Sequence, residues 1–383
     1  MRVRHGELRA PELTLGQKIW QLNWGLFLLV AAATGVGLAM LYSAANGSWD
    51  PWASRHAVRF GMGVAVMLAV ALIDIRFWMR YAYAIYAAAL ILLVAVEVAG
   101  TIGMGAQRWI DLRFFQLQPS EIMKIALVLA LARYFHTLNF EDIGRLSYLI
   151  TPALMVGAPV VLILRQPDLG TALMLAAGSA VLFFLAGVRL WKFVVAGAGA
   201  LGSIPIAWNF LHEYQKKRVL TFLDPEQDPL GSGYHILQSK IAMGSGGMTG
   251  KGFIRGTQSH LNFLPEKQTD FIFTMLAEEF GLVGGLALMA LYAAIMIYGF
   301  AIAVRARSQF ARLVGMGVTT TFSLYVFINI AMVMGVIPVV GVPLPLISYG
   351  GTAMLTVMIG FGLLMNVYVH RDVRIGRRWS DHG

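Results

Sequence analysis

The chain has 383 residues, of which 58% are hydrophobic and only 13% are charged, and its mean hydropathy is +0.68. This composition excludes an ordinary soluble domain, and the lack of cysteine excludes a disulfide framework and any thiolate metal site. The formal charge of +10 suits anionic lipid head groups, whereas the scatter of the basic residues among short loops argues against nucleic acid.

Apolar stretches of about 20 residues recur along the chain, each long enough to cross a hydrocarbon core of roughly 30 Å. The first is too long for the apolar part of a signal peptide, so we predict an uncleaved anchor. The fold class predicted is an all-α polytopic membrane protein, one domain over residues 1–383 with a bundle of about ten transmembrane helices. The predicted spans run near 20–42, 57–74, 82–100, 120–136, 147–164, 168–187, 191–210, 271–303, 312–337 and 345–369.

The lysine and arginine residues of the short loops predict the orientation. An even number of spans puts the N-terminal segment 1–19 and the C-terminal segment 370–383 on one side. The opposite short loops hold five basic residues, namely Arg55, Arg59, Arg108, Arg113 and Arg165. The side with the termini holds seventeen, namely Arg2, Arg4, Arg9, Lys18, Arg76, Arg80, Arg133, Arg145, Arg189, Lys192, Arg305, Arg307, Arg312, Arg371, Arg374, Arg377 and Arg378. Both termini are therefore predicted to be cytoplasmic, and the long loop 211–270 extracytoplasmic.

The stretch "GAQRWIDLRFFQLQPSE" (105–121) precedes the fourth span and places Arg108 beside Trp109. Such a pair is most often an interfacial anchor, and it could equally bind a phosphate or stack on a sugar. Within "QPSEIMK" (118–124), Glu121 and Lys124 are three residues apart on a helix and can pair. The pair is either a self-neutralising helix start or a functional site, because Lys124 lies inside the span.

The sixth span begins with "RQPDLGT" (165–171), where a helix N-cap explains Asp168. In the loop 211–270, "GYHILQSKIAM" (233–243) is short and amphipathic, which favours an interfacial helix and a surface helix about equally. The glycine-rich "GSGGMTGKG" (244–252) fails as a phosphate loop, because Ser245 replaces the first glycine and Gly252 replaces the final Ser or Thr.

The stretch "LPEKQTDFIF" (264–273) places Asp270 at the start of the eighth span. A carboxylate there is either a helix cap or a catalytic group. Helical geometry places Glu278 and Glu279 about 12–14 Å deeper than Asp270, in roughly opposed directions, so no carboxylate pair is expected there. The sequence contains neither the H-E-x-x-H motif of zinc metalloproteases nor the G-x-S-x-G motif of serine hydrolases. Its histidines are scattered, which gives little support to a His-based catalytic triad.

Several of these stretches together resemble one family. The segment 217–284 and the motifs "GAQRWI", "QPSEIMK", "QPDLGT" and "PLPLISYGG" (343–351) match in order the SEDS family of RodA, FtsW and SpoVE, the proteins of shape, elongation, division and sporulation. The wording of "DPLGSGYHILQSKIA" and "GTQSHLNFLPE" is closest to the RodA branch. One departure is Gln268, where the family usually has histidine. This puts an essential histidine in doubt and leaves Asp270 intact.

The resemblance implies a peptidoglycan glycosyltransferase of the bacterial inner membrane. Such an enzyme polymerises lipid II during elongation and rod-shape maintenance, together with a class B penicillin-binding transpeptidase and other elongation proteins. Asp270 matches the family's essential aspartate and is the predicted general base. The sequence predicts no certain cofactor and leaves open whether a divalent cation, Mg²⁺ or Mn²⁺, bridges a diphosphate.

The predicted substrate-binding residues lie in the motifs that precede the fourth and sixth spans and in the long loop. They are Arg108, Trp109, Gln118, Ser120, Glu121, Lys124, Asp168, Lys240, Lys251, Gln258, Glu266 and Lys267. Two other functions fit the same sequence. A lipid II flippase would use the intramembrane charges as a polar path, and a scaffold would position the transpeptidase without catalysis.

Overall fold

The structure is a computed structural model. It describes residues 14–103, 106–111, 116–139, 141–210, 216, 220–222, 224, 232–261, 263 and 266–376. The ends of the predicted terminal segments (1–13 and 377–383) and most of residues 211–231 lie outside the described residues. The predicted orientation of the termini therefore stays a prediction.

Helices dominate the described part of the chain. They are α1 (Leu15–Trp20), α2 (Trp24–Ala44), α3 (Trp52–Leu72), α4 (Ile75–Ala99), α5 (Pro119–Thr137), α6 (Leu146–Arg165), α7 (Leu169–Ala186), α8 (Leu190–Phe210), α9 (Ser232–Gly246), α10 (Thr257–His260), α11 (Ile272–Arg305), α12 (Gln309–Val333) and α13 (Gly351–Val369). The predicted amphipathic helix at 233–243 is confirmed as part of α9.

Eight of these helices are long and apolar enough to cross a membrane: α2, α3, α4, α6, α7, α11, α12 and α13. Helix α5 has spanning length but carries Glu121, Lys124 and Arg133, and α8 contributes a shorter apolar stretch, Leu190–Pro205. Together the ten confirm the predicted polytopic all-α bundle. Most residues of α5, α12 and α13 are buried, so these helices form the centre, whereas α8 exposes apolar side chains such as Leu190, Val194 and Leu201.

A small antiparallel sheet interrupts the helices between α4 and α5. Its strands β1 (Thr101–Gly103), β2 (Ala106–Asp111) and β3 (Gln116–Leu117) follow the order β1-β2-β3. Trp109 pairs with Thr101, and Ile110 pairs with Leu117. This sheet, which was not predicted from the sequence, leads the chain into α5.

Helix α11 reverses direction at Gly281, whose φ of 65° and ψ of −161° are not helical. On the first side of the reversal, Asn329 contacts Asp270, and Ser239 bonds both Thr274 and the Val333 carbonyl. Residues 270–274 therefore run parallel to 329–333. On the other side the direction is antiparallel, because Gly299 faces Thr319 and Gly315 faces Ala303. The predicted span 271–303 is thus a short re-entrant helix, 272–280, followed by the true span, 282–305.

The reversal overturns the expectation that Glu278 and Glu279 lie 12–14 Å deeper than Asp270. Asp270 is level with Asn329, four residues inside the end of α12, and the helix 272–280 rises from there toward that end. Glu279 accepts a hydrogen bond from Ser43, one residue before α2 ends. The expectation failed because it assumed a straight helix, and an apolar sequence pattern continues unchanged through a glycine reversal.

Candidate functional site

Asp270 lies at the inner end of the re-entrant helix, and its backbone is held from α12. The Asn329 amide donates to the Asp270 carbonyl at 2.9 Å and to the Val342 carbonyl at 2.7 Å. The N-cap position of the helix belongs to Phe271, and no side chain forms a cap hydrogen bond there. Asp270 thus stands one residue before the N-cap position. One carboxylate oxygen faces Gly341, 3.6 Å from the place where a Cβ would stand.

The segment before α13 forms a cradle around residues 268–270. Ser348 Oγ donates to the Thr269 carbonyl at 2.6 Å, and the Tyr349 N–H donates to the Gln268 carbonyl at 2.8 Å. The motif "PLPLISYGG" thus holds the backbone that carries Asp270. Position 268 contributes its carbonyl to this contact, so the departure from histidine leaves the contact intact.

The cradle itself is anchored to α3 and α11. The Pro345 carbonyl accepts a 2.7 Å hydrogen bond from Tyr292, and the Leu346 carbonyl lies 3.1 Å from His56 Nε2. Leu346 has a φ of 68°, a left-handed conformation that costs a non-glycine residue free energy. The two buried side chains hold the backbone on both sides of that strained position.

Glu121 and Lys124 form a buried pair at the start of α5, with the ammonium 2.7 Å from one carboxylate oxygen. The hydroxyl of Tyr325 on α12 completes the cluster, since it accepts from Lys124 and donates to the second carboxylate oxygen of Glu121. Both charged residues are 3% exposed. The pairing predicted from the sequence is confirmed. Because Glu121 balances the charge of Lys124 and Tyr325 bonds to both, the geometry favours the self-neutralising alternative over direct substrate binding.

Arg108 on strand β2 contacts the residues at the start of α7, including Asp168. The guanidinium donates to the carbonyls of Gln166, at 2.9 Å, and Pro167, and one of its nitrogens lies 3.9 Å from the Asp168 carboxylate. Asp168 caps α7 as predicted, because it accepts from the backbone N–H and the hydroxyl of Thr171. Arg108 is therefore fixed to the helix start rather than extended as a membrane anchor.

Glu278 organises the loop that covers the site. Its buried carboxylate accepts from Lys251 Nζ at 2.8 Å, from the Gln258 N–H at 2.8 Å, and from the backbone and hydroxyl of Ser259. Lys267 Nζ donates to the Ser259 carbonyl at 2.9 Å. Burial lowers the pKa of the Lys267 ammonium below its ordinary value. Lys251, Gln258 and Lys267 thus link the loop 251–260 to the segment that carries Asp270.

The remaining predicted residues are spread around this centre. Gln118 lies 3.5 Å from the Asp168 carboxylate, and Ser120 is buried in the first turn of α5. Lys240 is exposed on α9 and its ammonium approaches Gly335, whereas Glu266 is exposed and accepts from the Thr269 hydroxyl. Trp109 lies on β2, half-buried.

Four helices begin together around Asp270. The starts of α5 and α7 meet through Gln118 and Asp168, the start of α13 meets β3 through Thr352, and residues 268–270 meet Ser348 and Tyr349. A helix N-terminus carries a partial positive charge and unsatisfied N–H groups. The site therefore attracts anions, and a diphosphate is the anion that the predicted reaction would place there.

The described residues offer a divalent cation no preformed cluster of acidic or histidine ligands. Among the described residues, no group of three or more histidine, aspartate or glutamate side chains could hold a metal ion. The divalent cation stays a prediction.

Sequence reasoning missed several residues that shape the site, namely His56, Asn329, Ser348 and Tyr349. Most of them are ordinary polar residues of apolar helices or of a proline-rich turn, and their partners are far away in sequence. The motif "PLPLISYGG" was the one available signal, but it indicated the family rather than a contact with Asp270.

Comparison with known proteins gives matches over nearly the whole chain. The profile of the FtsW, RodA and SpoVE family, described as "Cell cycle protein", matches residues 23–373. The chain is 46% identical over 350 residues to the peptidoglycan glycosyltransferase MrdB of Escherichia coli strain K12, which covers 90% of this chain and 93% of MrdB.

Two solved structures share the fold. A chain solved in work on the structural coordination of polymerization and crosslinking by a peptidoglycan synthase complex is 34% identical, with a TM-score of 0.79 and coverage of 91% of this chain and 98% of that one. The rod shape determining protein RodA of Thermus thermophilus is 30% identical, with a TM-score of 0.69 and coverage of 91% and 97%.

Proposed function

This chain belongs to the FtsW, RodA and SpoVE family of cell cycle proteins, and from that membership we propose that it is a peptidoglycan glycosyltransferase with Asp270 as its general base. The substrates are lipid II and an undecaprenyl-diphosphate-linked glycan, and the role is strand extension during cell elongation. One observation carries the assignment of Asp270: its backbone is fixed by Asn329, Ser348 and Tyr349 where four helix N-termini meet.

The reaction needs one base and cationic or dipolar stabilisation of a leaving group. The 4-hydroxyl of the acceptor sugar attacks the anomeric carbon of the donor, and Asp270 takes the hydroxyl proton as the new bond forms. The bond from the anomeric carbon to undecaprenyl diphosphate breaks, and the anomeric configuration inverts. Glycosidases need a second carboxylate because their leaving group is poor, whereas a diphosphate leaves without an acid. The helix N-termini stabilise the negative charge that develops on it.

The partner is a class B penicillin-binding transpeptidase. This proposal is supported by the structural relative from a complex in which polymerization and crosslinking are coordinated. The protein lies in the bacterial inner membrane with both termini in the cytoplasm, which the lysine and arginine distribution supports.

The test is polymerisation of lipid II by the purified chain, with and without its transpeptidase partner and with and without a chelator. We expect glycan strands from wild type and none from Asp270→Asn. An amide keeps the size of the side chain but cannot accept the proton, and loss of a general base typically costs about 10²–10⁴-fold in rate.

The assay also separates the alternatives. A flippase would make no glycan in detergent, where no membrane is crossed, and a scaffold would make none without another polymerase. Near wild-type rates from folded Asp270→Asn would remove the role of Asp270 as base.

A further inference from the structure

Most cations around the site already have protein partners. Each of four contacts a carboxylate or a buried carbonyl: Arg108 with Asp168, Lys124 with Glu121, Lys251 with Glu278, and Lys267 with the Ser259 carbonyl. Arg59 differs from them. Its guanidinium forms no hydrogen bond or ion pair with any residue that the structure describes, and its Nη1 is buried.

Arg59 is half-buried on α3, and its guanidinium carbon lies 4.4 Å above the centre of the Tyr349 ring. The same guanidinium lies 3.4 Å from the place where a Cβ of Gly351 would stand, at the first residue of α13. Stacking on Tyr349 aims the group at the start of α13. The Tyr349 N–H holds Gln268, two residues before Asp270.

This arrangement is unfavourable without a ligand. Buried N–H donors that lack an acceptor cost free energy, and a cation at a helix N-terminus is repelled by the positive end of the helix. An anion between the guanidinium and the first N–H groups of α13 would remove both costs at once. A guanidinium also presents its N–H groups in a fork that matches two phosphate oxygens.

We propose that Arg59, together with the start of α13, binds the diphosphate of a polyprenyl-diphosphate-linked sugar. The proposal rests on the proposed function and names the residue that holds the charged part of its substrate. It replaces Arg108, Lys124, Lys251 and Lys267 in that role, because their charges are already engaged with protein groups.

The test uses the full chain in detergent and measures binding and thermal unfolding with four probes. Undecaprenyl diphosphate carries the proposed ligand group, undecaprenol lacks phosphate, pyrophosphate lacks the lipid, and phosphatidylglycerol supplies an ordinary anionic head group. The variants are Arg59→Met, which keeps a flexible stem over Tyr349, and Arg59→Lys, which keeps the charge. Arg55→Met is the matched control, because Arg55 is an exposed cation one turn earlier on α3.

We expect Arg59→Met to bind undecaprenyl diphosphate about 10- to 100-fold more weakly than wild type, the loss typical of charge-assisted hydrogen bonds. The affinity of Arg59→Lys should lie between those of wild type and Arg59→Met, and the affinity of Arg55→Met should equal that of wild type. Without ligand, the melting temperature of Arg59→Met should equal or exceed that of wild type, because the unpartnered charge has gone. A purely structural arginine would give a lower melting temperature. If pyrophosphate raises the melting temperature of wild type but not of Arg59→Met, the result supports a diphosphate site.

Two results would overturn the proposal. One is wild-type affinity for undecaprenyl diphosphate in both Arg59 variants. The other is equal protection by phosphatidylglycerol, which would indicate a general lipid head-group site. Asp270→Asn should keep the Arg59-dependent binding. Binding and polymerisation are thus measured separately. If wild type bound undecaprenyl diphosphate but did not polymerise lipid II, the proposed function would be contradicted and the binding site would not.

Discussion

The backbone of Asp270 is held in place, so the position of its carboxylate is set by the length of its side chain. Asn329, Ser348 and Tyr349 fix residues 268–270, so the backbone cannot shift to accommodate a longer acid. Glutamate would move the carboxylate by about 1 Å, a displacement that can cost about 10²-fold in rate. We expect Asp270→Glu to fold normally and to lose most polymerisation in the lipid II assay. Ser54→Ala, a change on an exposed hydroxyl, is the control. Wild-type turnover by Asp270→Glu would show that the carboxylate position is adjustable.

The Glu121–Lys124 pair gives a second prediction at the level of single residues. Removing one member leaves the other charge buried and uncompensated, at a cost of about 3–5 kcal/mol, whereas removing both leaves no charge. Because Lys124 is paired with Glu121 and hydrogen-bonded to Tyr325, we expect Glu121→Gln/Lys124→Met to unfold at a higher temperature than either single variant. The measurement is thermal unfolding in detergent, followed by polymerisation. A well-folded double variant without polymerisation would restore Lys124 as a substrate-binding residue.

Local sequence was sufficient for some of these residues and insufficient for others. The Asp168 cap and the Glu121–Lys124 pair each lie within one helical turn, so spacing alone predicted them. Asn329 and Ser348 contact the Asp270 segment across 59 and 79 residues of chain. No local pattern encodes such a contact, and the cradle could be found only once α12 and the segment before α13 were placed together.

Among the elements, the reversal of α11 matters most for function, because it brings Asp270 inside the bundle. Gly281 requires a φ of 65°, and a Cβ there would stand 2.4 Å from the Gly250 nitrogen. Eight spans were predictable because each is an apolar run of membrane length, and α5 and α8 lie where the other two were predicted. The reversal was not, since residues on both sides of Gly281 continue one apolar helical pattern.

Gly281→Ala tests the reversal. The φ of 65° and ψ of −161° at Gly281 lie in a region essentially restricted to glycine, which costs another residue roughly 1–3 kcal/mol, and the clash with backbone adds to that cost. We expect a melting temperature several degrees lower, and weaker polymerisation because the carboxylate of Asp270 is displaced. Gly157→Ala in α6 is the matched control, because no atom lies within 4 Å of its Cβ position. Equal behaviour of the two variants would contradict the reversal.

Across the whole molecule, the reversal also bears on orientation. The re-entrant helix 272–280 begins and ends near the same end of the bundle, so it adds no crossing to the eight apolar spans, α5 and α8, and the predicted count of ten is unchanged. Even parity places both termini on one side, and the excess of lysine and arginine in the loops on that side predicts that it is cytoplasmic. The site around Asp270, which lies at the opposite end, is then extracytoplasmic, where lipid-linked sugars are polymerised.

Reporter fusions test this orientation directly. A reporter that is active only outside the cytoplasm should be active when fused near Gly231 and silent near Gln309, because α11 contributes one crossing between them. A cytoplasmic reporter at the same two positions should give the reverse pattern and so controls for expression. If 272–280 and 282–305 were two separate crossings, both fusions would report the same side. If the extracytoplasmic reporter were active near Gln309 and silent near Gly231, the orientation in the membrane would be the opposite of the predicted one. Asp270 would then face the cytoplasm, which contradicts polymerisation at the outer surface.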